Sequence, residues 1–370
     1  MSSQQKKIVV FLGAGASVPV GIPDSKKLAR IVGKKLPQYS KRIRLIKRNI
    51  QDFGFSYDIE SLLSVLEFWA NPRKAIDETG AFFAEIANRG SLKSFRMHKK
   101  DQDIAKKVRG VIVEECFVND PSKVHAIKLL YEKFFKDLHD VFQLPDCNPA
   151  GNKACPPADV FTTNYDNVVE EYCAENGMPP PCDGYRELPI ARRGTFEFDE
   201  KCYTDPDSII RLRLYKLHGT VTYVRLPHGE LRLMPLFPGR KIQISGKTFP
   251  GGELRISGKP ALFDLIYPGT YQYATREPQL ELLNLLKQNL ASSSCCIVIG
   301  YSFRDPNIRQ IFRDVLLKSK RLRRQGKVVL VSPEAKKVIA NQKLAGLGIK
   351  AVKKKFEDLS VVEDIGGRCS

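Results

Sequence analysis

Three polar residues that follow strand-like segments offer the side chains best suited to chemistry at a ligand. His218 follows the segment 209–217, and Asn164 and Asp166 follow the segment 159–163. A neutral imidazole accepts a proton from a hydroxyl group or a water near pH 7, and an asparagine amide both donates and accepts hydrogen bonds. We therefore expect His218 to act as a neutral base and Asn164 to orient the water or hydroxyl group.

Each of these residues also has a simpler structural interpretation. Asn and Asp are favoured helix N-caps, so Asn164 or Asp166 can simply begin the next helix. A lone histidine more often packs in the core or lies at the surface than takes part in catalysis. Asp305, in the segment Gly-Tyr-Ser-Phe-Arg-Asp, can likewise cap the helix that Pro306 begins. The residues by themselves leave both interpretations open.

A turn of small residues after the first strand is a further candidate for ligand binding. Behind the apolar run 7–12 it consists of Gly13, Ala14, Gly15, Ala16 and Ser17. Small side chains let the backbone approach a pyrophosphate closely, and the N-terminus of the following helix, which Asp24 or Ser25 can cap, supplies unpaired N–H groups. A tight strand-to-helix turn without any ligand explains the same residues.

Alternating strand and helix patterns predict the fold that positions these residues. Apolar strand-like runs lie at 7–12, 159–163, 209–217, 295–299 and 327–331, with helical spacing between most of them. The segments that follow the last two runs carry small or polar residues, among them Gly300, Ser302 and Ser332. We predict an α/β fold with a Rossmann-like, mostly parallel sheet and ligand loops at the carboxyl ends of its strands.

The stretch 40–154 breaks this alternation. Its apolar residues recur with the i, i+3, i+4 spacing of helices, and strand signals are few. We therefore predict a helical insertion over 40–154 within a Rossmann-like core formed by residues 1–39 and 155–370. Pro- and Gly-rich pieces between 223 and 263 indicate hairpins, to which no function is assigned.

The composition excludes several classes of protein. Of the 370 residues, 42% are apolar and 27% are charged, which excludes a wholly disordered chain and a small disulfide scaffold. No apolar run approaches the roughly 20 residues that span a bilayer, and the amino terminus does not resemble a signal peptide. We expect a cytoplasmic protein without a membrane partner.

Charge and cysteine spacing bear on partners and metals. Lys and Arg number 60 against 41 Asp and Glu, a net charge of +19. Such a charge attracts phosphates, nucleic acid included, although solvated helix faces explain it equally well. The nine cysteines include no pair separated by two residues, the spacing of a structural zinc site. We predict reduced thiols and no bound metal, and nucleic acid is a candidate partner.

Four motifs occur in the order in which the sirtuin superfamily carries them. They are the small-residue turn with Gly-Ile-Pro-Asp at 21–24, Thr-Thr-Asn-Tyr-Asp at 162–166, Leu-His-Gly at 217–219 and Gly-Tyr-Ser at 300–302. The combination resembles most closely the bacterial and archaeal sirtuin-like branch of that superfamily. The resemblance covers about half of the chain and implies a Rossmann-like core that binds NAD.

The resemblance also implies an activity. In this branch it implies an enzyme that hydrolyses NAD to nicotinamide and ADP-ribose, with Asn164 and His218 as catalytic residues and Asp166 against the nicotinamide carboxamide. These motifs, together with the polar end of the strand at 327–331, give the predicted NAD-binding residues, namely Gly13, Ala14, Gly15, Ser17, Asp24, Thr163, Asp166, Gly300, Ser302 and Ser332. The resemblance further implies an effector of prokaryotic antiphage defence, in which NAD depletion stops the infected cell.

The chain departs from deacylating sirtuins in three places. Ser25-Lys26 replaces Phe-Arg after Asp24, Tyr165 replaces Ile, and the four-cysteine zinc module expected after His218 is absent from the sequence. These departures count against an NAD-dependent deacylase or ADP-ribosyltransferase, which stays an alternative. A nucleic-acid-binding module without catalysis and a sensor that binds NAD or ADP-ribose as a signal also stay open.

The resemblance implies control by something outside the catalytic core. Effectors of this branch are switched by an Argonaute-type protein, a nucleotide-sensing domain or a HerA-type ATPase. We expect that the short stretch after the last predicted core strand leaves no room for an appended sensor. Control is then expected from a homo-oligomer or from a separate partner chain, with a HerA-like ATPase as the first candidate.

Overall fold

Strands and helices alternate along most of the protein. The structure, a computed structural model, describes residues 7–52, 54, 56–70, 99–142, 158–187, 196–204, 212–225, 231–233, 255–256, 259–260, 262–265, 278–319, 322 and 327–367. The strands are β1 (Ile8–Leu12), β2 (Asp159–Thr162), β3 (Tyr185–Glu187), β4 (Phe196–Phe198), β5 (Arg213–Lys216), β6 (Gly219–Arg225), β7 (Leu231–Leu233), β8 (Arg255–Ile256), β9 (Lys259–Pro260), β10 (Leu262–Leu265), β11 (Cys295–Ile299), β12 (Val328–Val331) and β13 (Ile349–Val352). The α-helices are α1 (Ser25–Lys35), α2 (Ser40–Asp52), α3 (Ile59–Ala70), α4 (Lys99–Cys116), α5 (Pro121–Phe142), α6 (Val168–Glu175), α7 (Gln279–Ser292), α8 (Pro306–Lys318) and α9 (Ala335–Asn341).

A parallel sheet forms the centre of the fold. Its six strands lie in the order β13-β12-β11-β1-β2-β5, and every neighbouring pair is parallel. The chain passes from β1 to β2 on one side and later enters β11 on the other, so the strand order reverses at β1. Ligands of such sheets bind outside the carboxyl ends of the strands at this point. The predicted α/β fold with a Rossmann-like, mostly parallel sheet is confirmed.

Helices cover both faces of this sheet, as the side chains of β1 show. Ile8, Val10 and Leu12 belong to a core shared with α1 to α6, whereas Val9 and Phe11 belong to a second core shared with α7 to α9. Successive side chains of a strand point to opposite faces, so both faces of β1 are covered. This burial on both faces explains why the run at 7–12 is continuously apolar.

The helices α2 to α5, here called the helical layer, fall within the range predicted for the helical insertion. In this layer α3 packs against α2 and α4, and α1 of the core packs against both α3 and α4. The layer is therefore joined to the core through α1, and also through α6, against which α5 packs. Residues 71–98 and 143–154 of the predicted range lie outside the described residues, so the boundaries of the insertion stay a prediction.

The edge strand β13 was missed by the sequence prediction, which placed the last core strand at 327–331. Its sequence Ile-Lys-Ala-Val leaves Lys350 exposed, with Ile349 and Ala351 half-buried. An edge strand pairs on one side only and tolerates polar side chains, so it lacks the apolar run of a central strand. The expectation that the core ends at β12 is wrong for this reason.

A second, antiparallel sheet leads directly out of the first. Its strands lie in the order β10-β6-β7-β4-β3. Gly219, which begins β6, has a φ of +77°, in the left-handed region that favours glycine. This turn joins β5 of the first sheet to β6 of the second, and His218 lies in it. Much of the stretch 223–263, for which hairpins were predicted, lies outside the described residues.

Cysteine chemistry differs from the expectation at one position. Free thiols occur at Cys116, Cys173, Cys182, Cys202 and Cys296. Cys295, at the start of β11, is disulfide-bonded. The prediction of reduced thiols throughout is therefore wrong for Cys295, because sequence spacing does not reveal which cysteines the fold brings together. Separately, none of the helices within the described residues is long and apolar enough to cross a membrane.

Candidate active site

A cavity of about 390 Å³ opens at the carboxyl edge of the parallel sheet, beside the point where the strand order reverses. Residues that were predicted from the sequence make up part of its lining, namely Ala14, Gly15, Asp24, Thr163, His218, Gly300, Ser302 and Ser332. Cationic side chains of Lys26, Arg304 and Lys337 also line the cavity. The structure thus brings most of the predicted loops to one site.

His218 lies between two carboxylates at this cavity. Its Nε2 is 3.0 Å from Oδ2 of Asp305, and its Nδ1 is 3.7 Å from Oε1 of Glu60. Burial alone lowers the pKa of His218, but the hydrogen bond with Asp305 and the nearby carboxylate of Glu60 outweigh it and raise the pKa to about 9. The ring is therefore an imidazolium near pH 7. The expectation of a neutral His218 is wrong for this conformation.

Asp305 serves two functions at once. Its Oδ1 accepts hydrogen bonds from the backbone N–H groups of Asn307 (2.8 Å) and Ile308 (3.3 Å), so it caps α8. Its Oδ2 accepts the hydrogen bond from Nε2–H of His218. The sequence indicated only the cap, because the spacing of His218 and Asp305 along the chain does not predict a contact between them.

Glu60 was not predicted as a site residue. It lies in the first turn of α3 and lines the cavity. Beside it, Asp58 accepts a hydrogen bond from the N–H of Ser61 (2.9 Å) and forms an ion pair with Arg304. The helical layer therefore supplies an acidic group to the site. An acidic residue in the first turn of an amphipathic helix is common, so the sequence held no signal for this position.

Asn164 joins the strand end after β2 to the small-residue turn. Its Nδ2 donates to the carbonyl oxygen of Gly13 (3.1 Å) and to Oγ of Ser17 (3.0 Å). Its Oδ1 is buried and has no hydrogen-bond partner among the described residues. An unsatisfied buried acceptor costs about 1–3 kcal/mol, so this oxygen is suited to a donor on a ligand or water. Asn164 itself is not among the residues that line the cavity.

Asp166 and Ser17 lie behind the cavity and do not line it. Asp166 is fully buried, and it accepts a hydrogen bond from the N–H of Val168 (3.3 Å). Burial raises the pKa of Asp166, whereas Lys216 and a hydrogen bond with Ser17 lower it. Lys216 also donates to the backbone carbonyl of Asp166 and pairs with Glu170 at 2.7 Å. This buried network supports the loop that carries Asn164.

The glycines pack two turns of the protein against each other. A Cβ at Gly13 would lie 2.6 Å from Cα of Tyr301, and a Cβ at Gly300 would lie 2.4 Å from the backbone nitrogen of Ala16. At Gly15 a Cβ would lie 2.8 Å from Cα of Gly300. The small residues were predicted to give a pyrophosphate access to the turn. In the structure, close contact between the turns after β1 and β11 requires them.

Most N–H groups of the small-residue turn are already occupied. Those of Gly13, Gly15, Ala16 and Ser17 donate to the carbonyl oxygens of Ile299, Gly300, Gly13 and Ala14. These four N–H groups are therefore not free to bind a pyrophosphate; the unpaired N–H groups predicted from the sequence are those at the start of the following helix, α1. Any anion in the cavity would instead meet the side chains of Lys26, Arg304 and Lys337. Asp24 accepts from the N–H of Lys27 at 2.7 Å and caps α1, as predicted.

Comparison with known proteins identifies the family. A family model for the SIR2-like domain matches residues 158–352, more than half of the chain. The chain belongs to the SIR2-like family. The matched segment contains Asn164, His218 and Asp305, whereas the small-residue turn and Glu60 precede it. The SIR2-like segment thus lacks part of the cavity lining.

Sir2 proteins are among the solved structures that the chain matches. A Sir2 homologue in complex with NAD has 14% sequence identity, with 95% of this chain and 86% of that chain covered and a TM-score of 0.44. A mutant Sir2 homologue in complex with ADP-ribose has 12% identity, with coverages of 98% and 92% and a TM-score of 0.44. Sir2Tm bound to a propionylated peptide has 14% identity, with coverages of 97% and 93% and a TM-score of 0.39. No curated protein matches.

Metal ligands do not group together in the part of the chain that the structure describes. No three His, Cys, Asp or Glu side chains there lie close enough to hold a metal ion. That the SIR2-like protein functions without a metal stays a prediction, which metal analysis of the whole chain tests.

Proposed function

We propose that this SIR2-like protein hydrolyses NAD to nicotinamide and ADP-ribose. One observation carries the proposal. At the point where the strand order reverses, a single cavity brings together His218, the turn after β1 and three cationic side chains. An acid–base group and an anion-binding set are the two requirements for a dinucleotide whose glycosidic bond is to be hydrolysed.

The residues present fit NAD. The cavity volume of about 390 Å³ lies within the usual range for ligand sites. Lys26 can neutralise a pyrophosphate, together with Arg304 and Lys337, which in its absence pair with Asp58 and Glu334. Two buried polar atoms, Oδ1 of Asn164 and Oη of Tyr301, lack a hydrogen-bond partner among the described residues. Ribose hydroxyls, a carboxamide and a bound water are the groups that would satisfy them.

His218 and Asn164 carry the proposed chemistry. NAD supplies the glycosidic bond and a leaving group that already carries positive charge. Asn164 would accept a hydrogen bond from the attacking water or a ribose hydroxyl through Oδ1 and so orient it. His218 in its neutral form would accept a proton from that oxygen, while Asp305 holds Nε2–H and stabilises the imidazolium that results. Activity should therefore rise as His218 loses its proton.

We further propose a biological role in antiphage defence through NAD depletion, as the family resemblance implies. An unregulated NAD hydrolase would harm its own cell, so low activity of the free chain is expected. The imidazolium form of His218 supports that expectation. Control by homo-oligomerisation, by a HerA-like ATPase or by nucleic acid on the basic surface belongs to the same proposal, as does a cytoplasmic location.

Product analysis with purified full-length protein tests the proposed reaction. NAD is incubated with the protein, and nicotinamide, ADP-ribose and remaining NAD are separated by chromatography. An acetyl-lysine peptide is added in parallel. Stoichiometric nicotinamide and ADP-ribose without peptide would support the proposal, whereas nicotinamide release that requires the peptide would indicate a deacylase. Binding of NAD without any product over the pH range 6–10 would indicate a sensor.

Asn164→Ala tests whether Asn164 orients the attacking water or hydroxyl group. Asn289, in α7, is also buried and donates to a backbone carbonyl, but that carbonyl, of Leu285, belongs to its own helix and not to the small-residue turn, so Asn289→Ala is the control. Asn164→Ala should lose most NAD cleavage, and the control should keep it. Equal activity of the two variants would remove Asn164 from the proposed chemistry.

A further inference from the structure

Alternating charges join the helical layer to the loop after β11. Arg304 pairs with Asp58, and the next residue, Asp305, contacts His218, which in turn faces Glu60. Asp58 and Glu60 lie at the start of α3, while Arg304 and Asp305 immediately precede α8. His218 thus lies between the start of α3 and the loop before α8, two segments that are far apart in the chain, and contacts an acidic residue of each.

The backbone at Glu60 is held firmly in this arrangement. Asp58 and Ser61 hydrogen-bond reciprocally, from the N–H of Ser61 to Oδ1 of Asp58 (2.9 Å) and from the N–H of Asp58 to Oγ of Ser61 (3.0 Å). This is the geometry of a capping box, which fixes the first turn of a helix. Ile59 and Leu62, on either side of Glu60, are buried in the core. The position of Glu60 therefore follows the position of α3.

Both ring nitrogens of His218 face a carboxylate. Nε2 donates to Asp305, and Nδ1 points to Glu60 at 3.7 Å. The other titratable groups around them are Tyr301, whose pKa burial raises well above its ordinary value, and the Asp58–Arg304 pair. Two carboxylates this close favour the ring with two N–H groups, and that form has no lone pair left to accept a proton.

We propose that Glu60 is a positioning residue through which the helical layer controls the site: beside Nδ1 it keeps His218 doubly protonated, and its withdrawal frees Nδ1 as the base. The inference rests on the proposed NAD hydrolysis. When Glu60 withdraws, the Nδ1 proton leaves to solvent, and Nδ1 then takes the proton of the attacking water or ribose hydroxyl. Asp305 keeps its hydrogen bond with Nε2–H throughout.

Glu60→Gln tests the inference, because it removes the charge and keeps the size of the side chain. Glu114→Gln is the matched control, since Glu114 is also a partly exposed acid of the helical layer but pairs with Lys35 and does not line the cavity. Glu60→Asp keeps the charge on a shorter side chain. It should behave between wild type and Glu60→Gln, and it replaces Glu60→Gln if that variant does not fold.

The first readout is the charge of His218 itself. Full-length protein with ¹³C-labelled histidine rings carries five histidines, and the His218→Asn variant assigns the resonance of His218. We expect His218 to titrate near pH 9 in wild type and in Glu114→Gln. In Glu60→Gln it should titrate at lower pH. An unchanged titration of His218 in Glu60→Gln would overturn the inference, whatever the protein does with NAD.

The second readout is the pH profile of NAD cleavage. Each unit by which the pKa of His218 falls raises its neutral fraction near pH 7 about tenfold, so Glu60→Gln should cleave NAD faster at pH 7 and reach its plateau at lower pH. A shifted titration with an unshifted pH profile, or with slower cleavage at pH 7, would also overturn the inference. If wild type and all variants leave NAD intact while the titration shifts, the proposed function fails and the contact between Glu60 and His218 stands.

Discussion

The Nε2 atom of His218 lies 3.0 Å from a carboxylate oxygen of Asp305, 87 positions further along the chain. The contact joins the turn between β5 and β6 to the cap of α8. Because Asp305 caps the helix with one oxygen and holds His218 with the other, helix and catalytic candidate share one side chain. A single substitution should therefore affect stability and the charge of His218 together.

Asp305→Asn and Asp305→Ala should separate these two functions. Asparagine is also a good N-cap, so Asp305→Asn should change the free energy of unfolding little at pH 9.5, where His218 is largely neutral. At lower pH it also removes stabilisation, because the loss of charge lowers the pKa of His218. Asp305→Ala loses the cap as well and should cost about 1–2 kcal/mol. Chemical denaturation at pH 9.5 measures the first effect and histidine titration the second. Equal destabilisation by both variants would contradict this assignment.

Stability should depend on pH through His218. Its pKa rises from 6.5 to about 9 on folding, so the stabilisation is fully present below about pH 6.5 and is lost as pH rises through 9. The loss should be at most about 3 kcal/mol. Burial also raises the pKa of Asp183 to about 6 and that of Glu171 to about 7. The stabilisation that these two groups contribute is lost as pH rises through 6 and 7, before His218 begins to lose its proton.

Urea denaturation at pH 6, 7.5 and 9.5 measures this dependence. In His218→Asn, the free energy of unfolding should no longer decrease between pH 7.5 and 9.5, whereas its decrease between pH 6 and 7.5 should remain. A wild-type midpoint that stays constant from pH 7.5 to 9.5 would show that the two carboxylates do not hold a proton on His218.

The glycine contacts predict opposite effects of two alanine substitutions. Gly300 has a φ of +63°, and a Cβ there would meet backbone atoms at 2.4 Å, so Gly300→Ala should destabilise the protein by on the order of 3 kcal/mol or prevent folding. Gly33 lies inside α1 with nothing near a Cβ, so Gly33→Ala should stabilise it by about 0.5–1 kcal/mol. Thermal unfolding of both variants checks the pair; a neutral Gly300→Ala would contradict the proposed packing of the two turns.

The sequence was informative where a residue's type and local pattern decide its place. The parallel sheet, the loops that carry Asn164, His218 and Asp305, and the cap at Asp24 follow from apolar runs and the residues behind them. Glu60 could not be predicted, since its contact with His218 depends on how α3 packs against the core. The charge of His218 depends on the same packing, and a base that local sequence suggests is neutral becomes an imidazolium between two acids.

Metal content separates this protein from a deacylase that resembles the zinc-containing sirtuins. The sequence has no Cys-X-X-Cys pair, and we expect less than stoichiometric zinc in protein purified without chelators. Elemental analysis of the full-length chain measures this directly, and treatment with a chelator should leave NAD cleavage unchanged. One zinc per chain, or loss of activity with the chelator, would contradict the prediction and favour the deacylase.

NAD turnover by His218→Ala, measured beside wild type and His125→Ala, tests the central claim most directly. His125 lies exposed on α5 and does not line the cavity, so its loss controls for the removal of a histidine. If His218 is the base, His218→Ala should reduce the rate of ADP-ribose formation about 10²- to 10⁴-fold at pH 9, near the pKa of His218, and His125→Ala should match wild type. ADP-ribose formation by folded His218→Ala at the wild-type rate would contradict the claim that His218 performs the chemistry of this site.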